Sequence, residues 1–205
     1  VEVEQSGAVC FIRLNRPDAL NAFRPEMLDE LARLLGLIEK DLSIVVVILE
    51  GKGKAFSAGV DLKVLQGIDP KGGKVGDLFD EPARVAYTAI RDCRCPVIAK
   101  VHGACFTGAL EMALHCDFVL TTKDTKFGDT HAKFGLRPTW GMTQTLSQAV
   151  GIRRAKELSY TARTFLGAEA VELGIANQAL ETREELDQVA LDCAESIARN
   201  SRSAL

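Results

Sequence analysis

Residues 96–113 read PVIAKVHGACFTGALEMA, and they carry the arrangement in this chain with the clearest chemical use. Gly108 precedes Ala-Leu-Glu-Met-Ala-Leu, a run of strong helix formers, which predicts a helix N-terminus at or near Gly108. Amide hydrogens there have no helical acceptor, a glycine lets an oxygen approach the backbone closely, and the helix dipole adds positive potential. Such a place suits an oxygen that becomes anionic. Glu111 lies one turn further on and faces the same region, which makes it a candidate base; the plainer alternative is a carboxylate that only complements the helix dipole. A second anion site of the same kind is suggested by GKGKAFSAGVDLKVL at 51–65, where Gly59 permits another close approach; a strand-to-helix connector with solvated lysines is the alternative. A third group of function-capable residues is Asp129, Thr130 and His131, between Phe127 and Phe134. His131 can exchange a proton near neutral pH, although a single histidine is more often structural or at the surface.

The elements that must position these groups follow from hydrophobic periodicity. Residues 96–101 form a short, β-branched apolar run with proline at its start, which predicts a buried strand. Residues 44–49, IVVVIL, predict a second strand covered on both faces. Before it, 1–5 and 9–14 alternate around Ser6-Gly7 and predict a hairpin. Met27, Leu28, Leu31, Leu34, Leu35 and Ile38 recur at helical spacing from Pro25 to about Lys40. The order strand, helix, strand points to a layered α/β core with right-handed crossovers. Residues 66–82 are glycine-rich and acidic and are expected to form a mobile loop or lid, followed by a helix over 84–93. Further strands are expected at 117–121 and 175–180, and helices at about 143–149, from 151, at 167–174 and at 184–199. Trp140 reads as core or pocket wall, and the cations after Gly151 as a solvated face.

Composition bounds the rest. The 205 residues, 47% hydrophobic and 26% charged, suffice for one domain with a sizeable core. A net charge of -3 argues against a nucleic-acid surface, and the apolar runs are too short to span a bilayer. The acidic start VEVEQSG is unlike a targeting peptide. A soluble, cytoplasmic protein is expected, with an organellar matrix as the alternative if a leader has been removed. Cys10, Cys93, Cys95, Cys105, Cys116 and Cys193 form no CxxC pair, so buried, reduced thiols are expected. His115 next to Cys116 makes a poor metal pair because adjacent side chains diverge, and no metal site is expected.

LNRPDALNAF, AFSAGVDL, PVIAKVHGACFTGALEMALHCDFVL and GLRPTWGMTQTLSQAVG, in this order, resemble the crotonase family, also called the enoyl-CoA hydratase/isomerase family. The resemblance covers nearly the whole chain. It implies an α/β fold built as a crotonase-like spiral of ββα units, acyl-CoA thioesters as substrates with no further cofactor, and a homotrimer or hexamer. Family members usually continue into C-terminal helices, so the chain is expected to stop short of that helical part. By the same resemblance the amides of Val60 and Gly108 hold the thioester oxygen, and Ala58, Gly59, Asp61 and Leu62 lie along the CoA moiety. Glu111 matches the glutamate that activates water. His131 stands where hydratases carry a second glutamate. A Glu111/His131 pair is expected to hydrate a 2-enoyl-CoA; the alternatives are a decarboxylase of methylmalonyl- or ethylmalonyl-type acyl-CoA and a non-catalytic acyl-CoA-binding member.

Overall fold

Strict alternation along the strands decides which side of the main sheet each residue joins. The structure, a computed structural model, describes residues 1–66 and 76–201. Its strands are β1 (Glu2–Ser6), β2 (Val9–Leu14), β3 (Val46–Gly51), β4 (Val97–Val101), β5 (Ala104–Phe106), β6 (Phe118–Thr122), β7 (Lys126–Gly128), β8 (Phe165–Leu166) and β9 (Gln178–Leu180). The helices are α1 (Pro25–Ile38), α2 (Leu62–Leu65), α3 (Asp77–Arg91), α4 (Gly108–His115), α5 (Met142–Val150), α6 (Ile152–Thr161), α7 (Gly167–Glu172) and α8 (Arg183–Ala198). Six strands form the main sheet in the order β1-β2-β3-β4-β6-β9, parallel except for the β1/β2 hairpin. The strands β5, β7 and β8 form a separate small sheet.

Cys10, Ile12 and Leu14 of β2 share one side of the main sheet with Val47, Leu49, Val97 and Ala99, within the core that includes the buried faces of α1 and α3. Val9, Val46, Ile48, Ile98 and Leu120 pack on the other side against Leu186, Ala190 and Ala194 of α8. Covering both faces explains why β3 and β4 are apolar at nearly every position. Met27, Leu28, Leu31, Leu34, Leu35 and Ile38 form the buried stripe of α1. Each such side chain stabilises by roughly 1.5–3 kcal/mol when removed from water, so burial rather than intrinsic propensity holds the helix. The charges on the α8 side are paired. Arg13, Glu50 and Lys100 stand side by side across β2, β3 and β4, and Lys100 Nζ reaches both Glu50 and, at 2.5 Å, Asp187 Oδ1 of α8.

The hairpin, α1 and β4 lie where the periodicity predicts them, and the strand expected over 44–49 runs two residues later, as Val46–Gly51. The helix expected over 84–93 instead begins at Asp77 and contains Pro82. Asp77 and Asp80 complement the dipole of its first turn, and Phe79 is fully buried, so one apolar anchor and two acids outweigh a composition that reads as loop. Residues 67–75 of the expected lid lie outside the described residues. All six cysteines are free thiols, and burial pushes Cys10 up to about 11.

Candidate functional site

Two short pieces of backbone pairing bring the three chemical groups together. The parallel pairing of β5 with β7 sets Phe106 opposite Gly128, and the Thr107 amide donates to the Gly128 carbonyl at 2.9 Å. This fixes the start of α4 beside the segment carrying Asp129 and His131. A bridge between Ser57 and Cys105, with the Ser57 amide donating to the Ala104 carbonyl at 3.1 Å, fixes the 57–60 turn against the other edge of β5. Gly59, at φ 92°, abuts Thr107 so closely that a Cβ there would lie 2.3 Å from Thr107 Oγ1.

Glu111 is 1% exposed and uses its two oxygens differently. Oε1 accepts from the amides of Trp140, at 2.9 Å, and Met142, at 3.2 Å. The turn that supplies those amides is held in place by Asp80 of α3, whose Oδ1 accepts from Thr139 Oγ1 at 2.7 Å and from the Trp140 indole at 3.2 Å. His115 Nε2 bonds the Trp140 carbonyl at 2.7 Å and its ring stacks on Tyr87; it is thus committed to this turn. The other Glu111 oxygen, Oε2, lies 3.5 Å from His131 Nε2.

His131 begins a short 3-10 turn, His131–Phe134, closed by Gly135 in the left-handed conformation. Its Nδ1 pairs with Asp129 Oδ1 at 2.6 Å, and Asp129 Oδ2 accepts from Ser159 Oγ of α6 at 2.6 Å. Burial opposes the charged imidazole, but the hydrogen bond to Asp129 and the Glu111 carboxylate 3.5 Å away outweigh it, and the pKa rises to about 9. Burial likewise pushes Asp129 up, yet its bonds to His131 and Ser159 bring it below the usual carboxylate range. At neutral pH the site therefore holds an imidazolium, a proton donor at Nε2, beside the free oxygen of Glu111.

A cavity of about 320 Å³ joins these groups, lined among others by Ala58, Val60, Leu62, Thr107, Glu111 and His131. Trp140, fully buried, closes one wall and presses on Gly108, where a Cβ would lie 2.5 Å from its ring. Gly108 opens α4 directly after the lining residue Thr107. Among the described residues neither the Val60 nor the Gly108 amide donates to a backbone carbonyl. Thr107 itself has φ 47° and ψ -116°, a strained setting for a β-branched residue, at the junction of the two turns. The Asp61 carboxylate is buried away from this group. It caps α2 through the Lys63 amide at 3.0 Å and pairs with Arg16 and Arg24. Gly59 turns its carbonyl to the Phe23 amide at 2.7 Å. The structure thus places Ala58, Val60, Leu62, Glu111 and His131 around one cavity, with Gly108 at its edge and Gly59 and Asp61 as supports. Asp80 and Ser159, which hold Glu111's turn and Asp129, have no local sequence signal; each acts on residues 30 to 60 positions away.

The enoyl-CoA hydratase/isomerase family model matches residues 4–205, and the chain belongs to that family. It is 34% identical over 199 residues to a protein of Arabidopsis thaliana named probable enoyl-CoA hydratase 1, peroxisomal, covering 97% of this chain and 72% of that one. It is also 34% identical over 207 residues to the short-chain-enoyl-CoA hydratase of Clostridium acetobutylicum, covering 100% of this chain and 77% of the relative. A crystal structure of enoyl-CoA hydratase from Bacillus anthracis superposes with a TM-score of 0.92 at 32% identity, over 98% of this chain and 77% of that one. The mixed α/β architecture is thus the crotonase fold, as the spaced motifs imply. No helix among the described residues is long and apolar enough to cross a membrane.

Proposed function

We propose that the chain adds water across the double bond of a 2-enoyl-CoA, with Glu111 as base and His131 as acid. The observation that supports this most is the 3.5 Å approach of Glu111 Oε2 to His131 Nε2 inside the cavity, with the other atoms of both side chains held by fixed partners. The thioester oxygen accepts from the Val60 and Gly108 amides, and Ala58, Gly59, Asp61 and Leu62 follow the CoA moiety. Glu111 Oε2 takes a proton from a water whose oxygen bonds to the β-carbon. The double-bond electrons move towards the thioester oxygen, giving an enolate. Two preorganised donors stabilise that charge by roughly 3–4 kcal/mol each. His131 Nε2 then delivers its proton to the α-carbon as the carbonyl re-forms, and the product is a 3-hydroxyacyl-CoA. The proton on Glu111 returns to the neutral imidazole across the same short gap, which resets the pair.

An imidazolium serves as well as a carboxylic acid for the α-carbon step because only a positioned proton is needed. Decarboxylation of a malonyl-type thioester needs no base, and the Glu111 oxygen would face the departing carboxylate, so hydration fits this pair better. The reading calls for no cofactor beyond the CoA of the substrate and for assembly as a homotrimer or hexamer. Its test is loss of the conjugated thioester absorbance of a short 2-enoyl-CoA. Wild type should bleach it, and Glu111→Gln should lower the rate by roughly 10²–10⁴-fold, the usual contribution of a positioned acid or base. Equal rates in the two proteins would overturn the mechanism.

A further inference from the structure

His131 is not placed by its own backbone alone. An imidazole on a short turn can rotate about its ring axis and, when neutral, can carry its proton on either nitrogen. Here both freedoms are removed from one side: Nδ1 is taken by Asp129 Oδ1 at 2.6 Å, and the second oxygen of that carboxylate is taken by Ser159 Oγ at 2.6 Å. Asp129 is 2% exposed, so its charge is shielded by little water. Ser159 belongs to α6, and the hydroxyl therefore ties the carboxylate to a helix that carries none of the other catalytic groups.

We infer that Asp129 and Ser159 are positioning residues that act through His131, holding the imidazole in one orientation with its Nε2 proton aimed at Glu111 and the cavity. This rests on the hydration reading for its catalytic consequence, though not for the orientation itself. The chain of contacts runs Ser159 hydroxyl to Asp129, His131 Nδ1–H to Asp129, and His131 Nε2 towards Glu111. It substitutes a braced imidazolium for the second carboxyl group that the resemblance leads one to expect at position 131. The charged groups around the ring are Asp129 on its own segment and Glu111 from α4; Lys133 and Arg137 line the same cavity. From α6 the contacting group is the uncharged Ser159, while Arg154 and Glu157 of that helix pair with each other. No cation therefore competes for the Asp129 carboxylate in the described contacts, and its charge acts on the imidazole. A purely structural role, fastening α6 to the 129–134 segment, predicts lower stability without any change in how His131 titrates.

The two are separated by following the His131 ring by NMR as pH is raised, alongside steady-state hydration of a short 2-enoyl-CoA, in wild type, Asp129→Asn, Ser159→Ala and Ser159→Thr. In wild type the imidazolium should persist to about pH 9. Asp129→Asn should move the titration down by about 1–3 pH units, as loss of an adjacent opposite charge does. It should also lower kcat on the order of 10- to 100-fold, less than the full contribution of a general acid, with KM nearly unchanged. Ser159→Ala should shift the titration in the same direction by less, and Ser159→Thr, which keeps the hydroxyl, should restore it. If Asp129→Asn does not fold, the alanine and threonine variants at 159 carry the same readouts. A shifted titration in a protein without hydratase activity would support the positioning role and overturn the proposed reaction. An unchanged His131 titration in Asp129→Asn, or in Ser159→Ala where the former does not fold, would overturn the positioning role.

Discussion

In the proposed hydration Glu111 and His131 divide one task between unlike groups, and their surroundings suit each to its part. Two backbone amides hold Glu111 Oε1, which leaves Oε2 as the oxygen free to receive a proton. His131 is kept charged by the acids at its two ends, in spite of burial. This has a thermodynamic consequence independent of catalysis. The folded pKa of about 9 lies above the ordinary value of 6.5, so the stabilisation is complete below 6.5 and is lost as pH rises towards 9. Asp129, whose pKa is lowered, contributes above its ordinary value of 3.8 and loses that contribution as pH falls further. The difference in Tm between wild type and His131→Gln is therefore expected to be widest between about pH 4 and 6.5 and to shrink by pH 9. Thermal unfolding of both proteins across that range measures it; a difference that stays constant from pH 6 to 9.5 would show that the pair does not carry the charge assigned to it. Both residues stand out in the sequence, Glu111 from its place after a helix-starting glycine and His131 from the family resemblance, and both line the same cavity. The partners that set their chemistry were not, because Ser159 and Asp80 reach them only through tertiary packing.

At the scale of elements, the site depends on pieces too short to announce themselves. β5, β7 and β8 span three, three and two residues, below the length at which alternation can be recognised, yet β5 and β7 set the register between α4 and the His131 turn. The long elements, α1, β3 and β4, were readable because their burial extends over whole faces. Gly59 and Gly108 both sit where a Cβ would collide, with Thr107 and with Trp140, a packing reason that the sequence reading, which looked to the approach of a ligand oxygen, did not name. What sequence did not suggest is that the residue between β5 and α4 is a strained threonine. Thr107→Gly is expected to relieve that strain and to raise stability by about 1 kcal/mol, roughly 2–4 °C in Tm for a chain of this length. Gly59→Ala is expected to do the reverse, because it adds a side chain at φ 92° and 2.7 Å from the Phe106 carbonyl oxygen. It should lower hydration more than 10-fold by displacing the neighbouring Val60 amide, a cost in line with losing one oxyanion donor. Thermal melts and rates of the two variants check this, and a Gly59→Ala protein with wild-type stability and rate would refute the close approach of the two turns.

The molecule as a whole turns two independent connections into one cavity. The centre of the main sheet, β3 and β4, is buried on both faces, with α1 and α3 in the core on one side and α8 on the other. Glu111 and His131 lie on the segments that follow β5 and β7 of the small sheet, so the core was legible from periodicity while the site had to be inferred from glycines, acids and the order of motifs. The family assignment rests on matches over nearly the full chain, and the chemistry proposed for it is an enolate formed from an acyl-CoA. Which enolate reaction follows depends on Glu111 and His131, and the identity of the product decides it. A short 2-enoyl-CoA turned over in D2O and examined by NMR should give a 3-hydroxyacyl-CoA with one deuterium at the α-carbon, delivered from His131. A product with a shifted double bond, or no turnover of the enoyl ester together with carbon dioxide release from a malonyl-type thioester, would contradict the Glu111/His131 hydration mechanism.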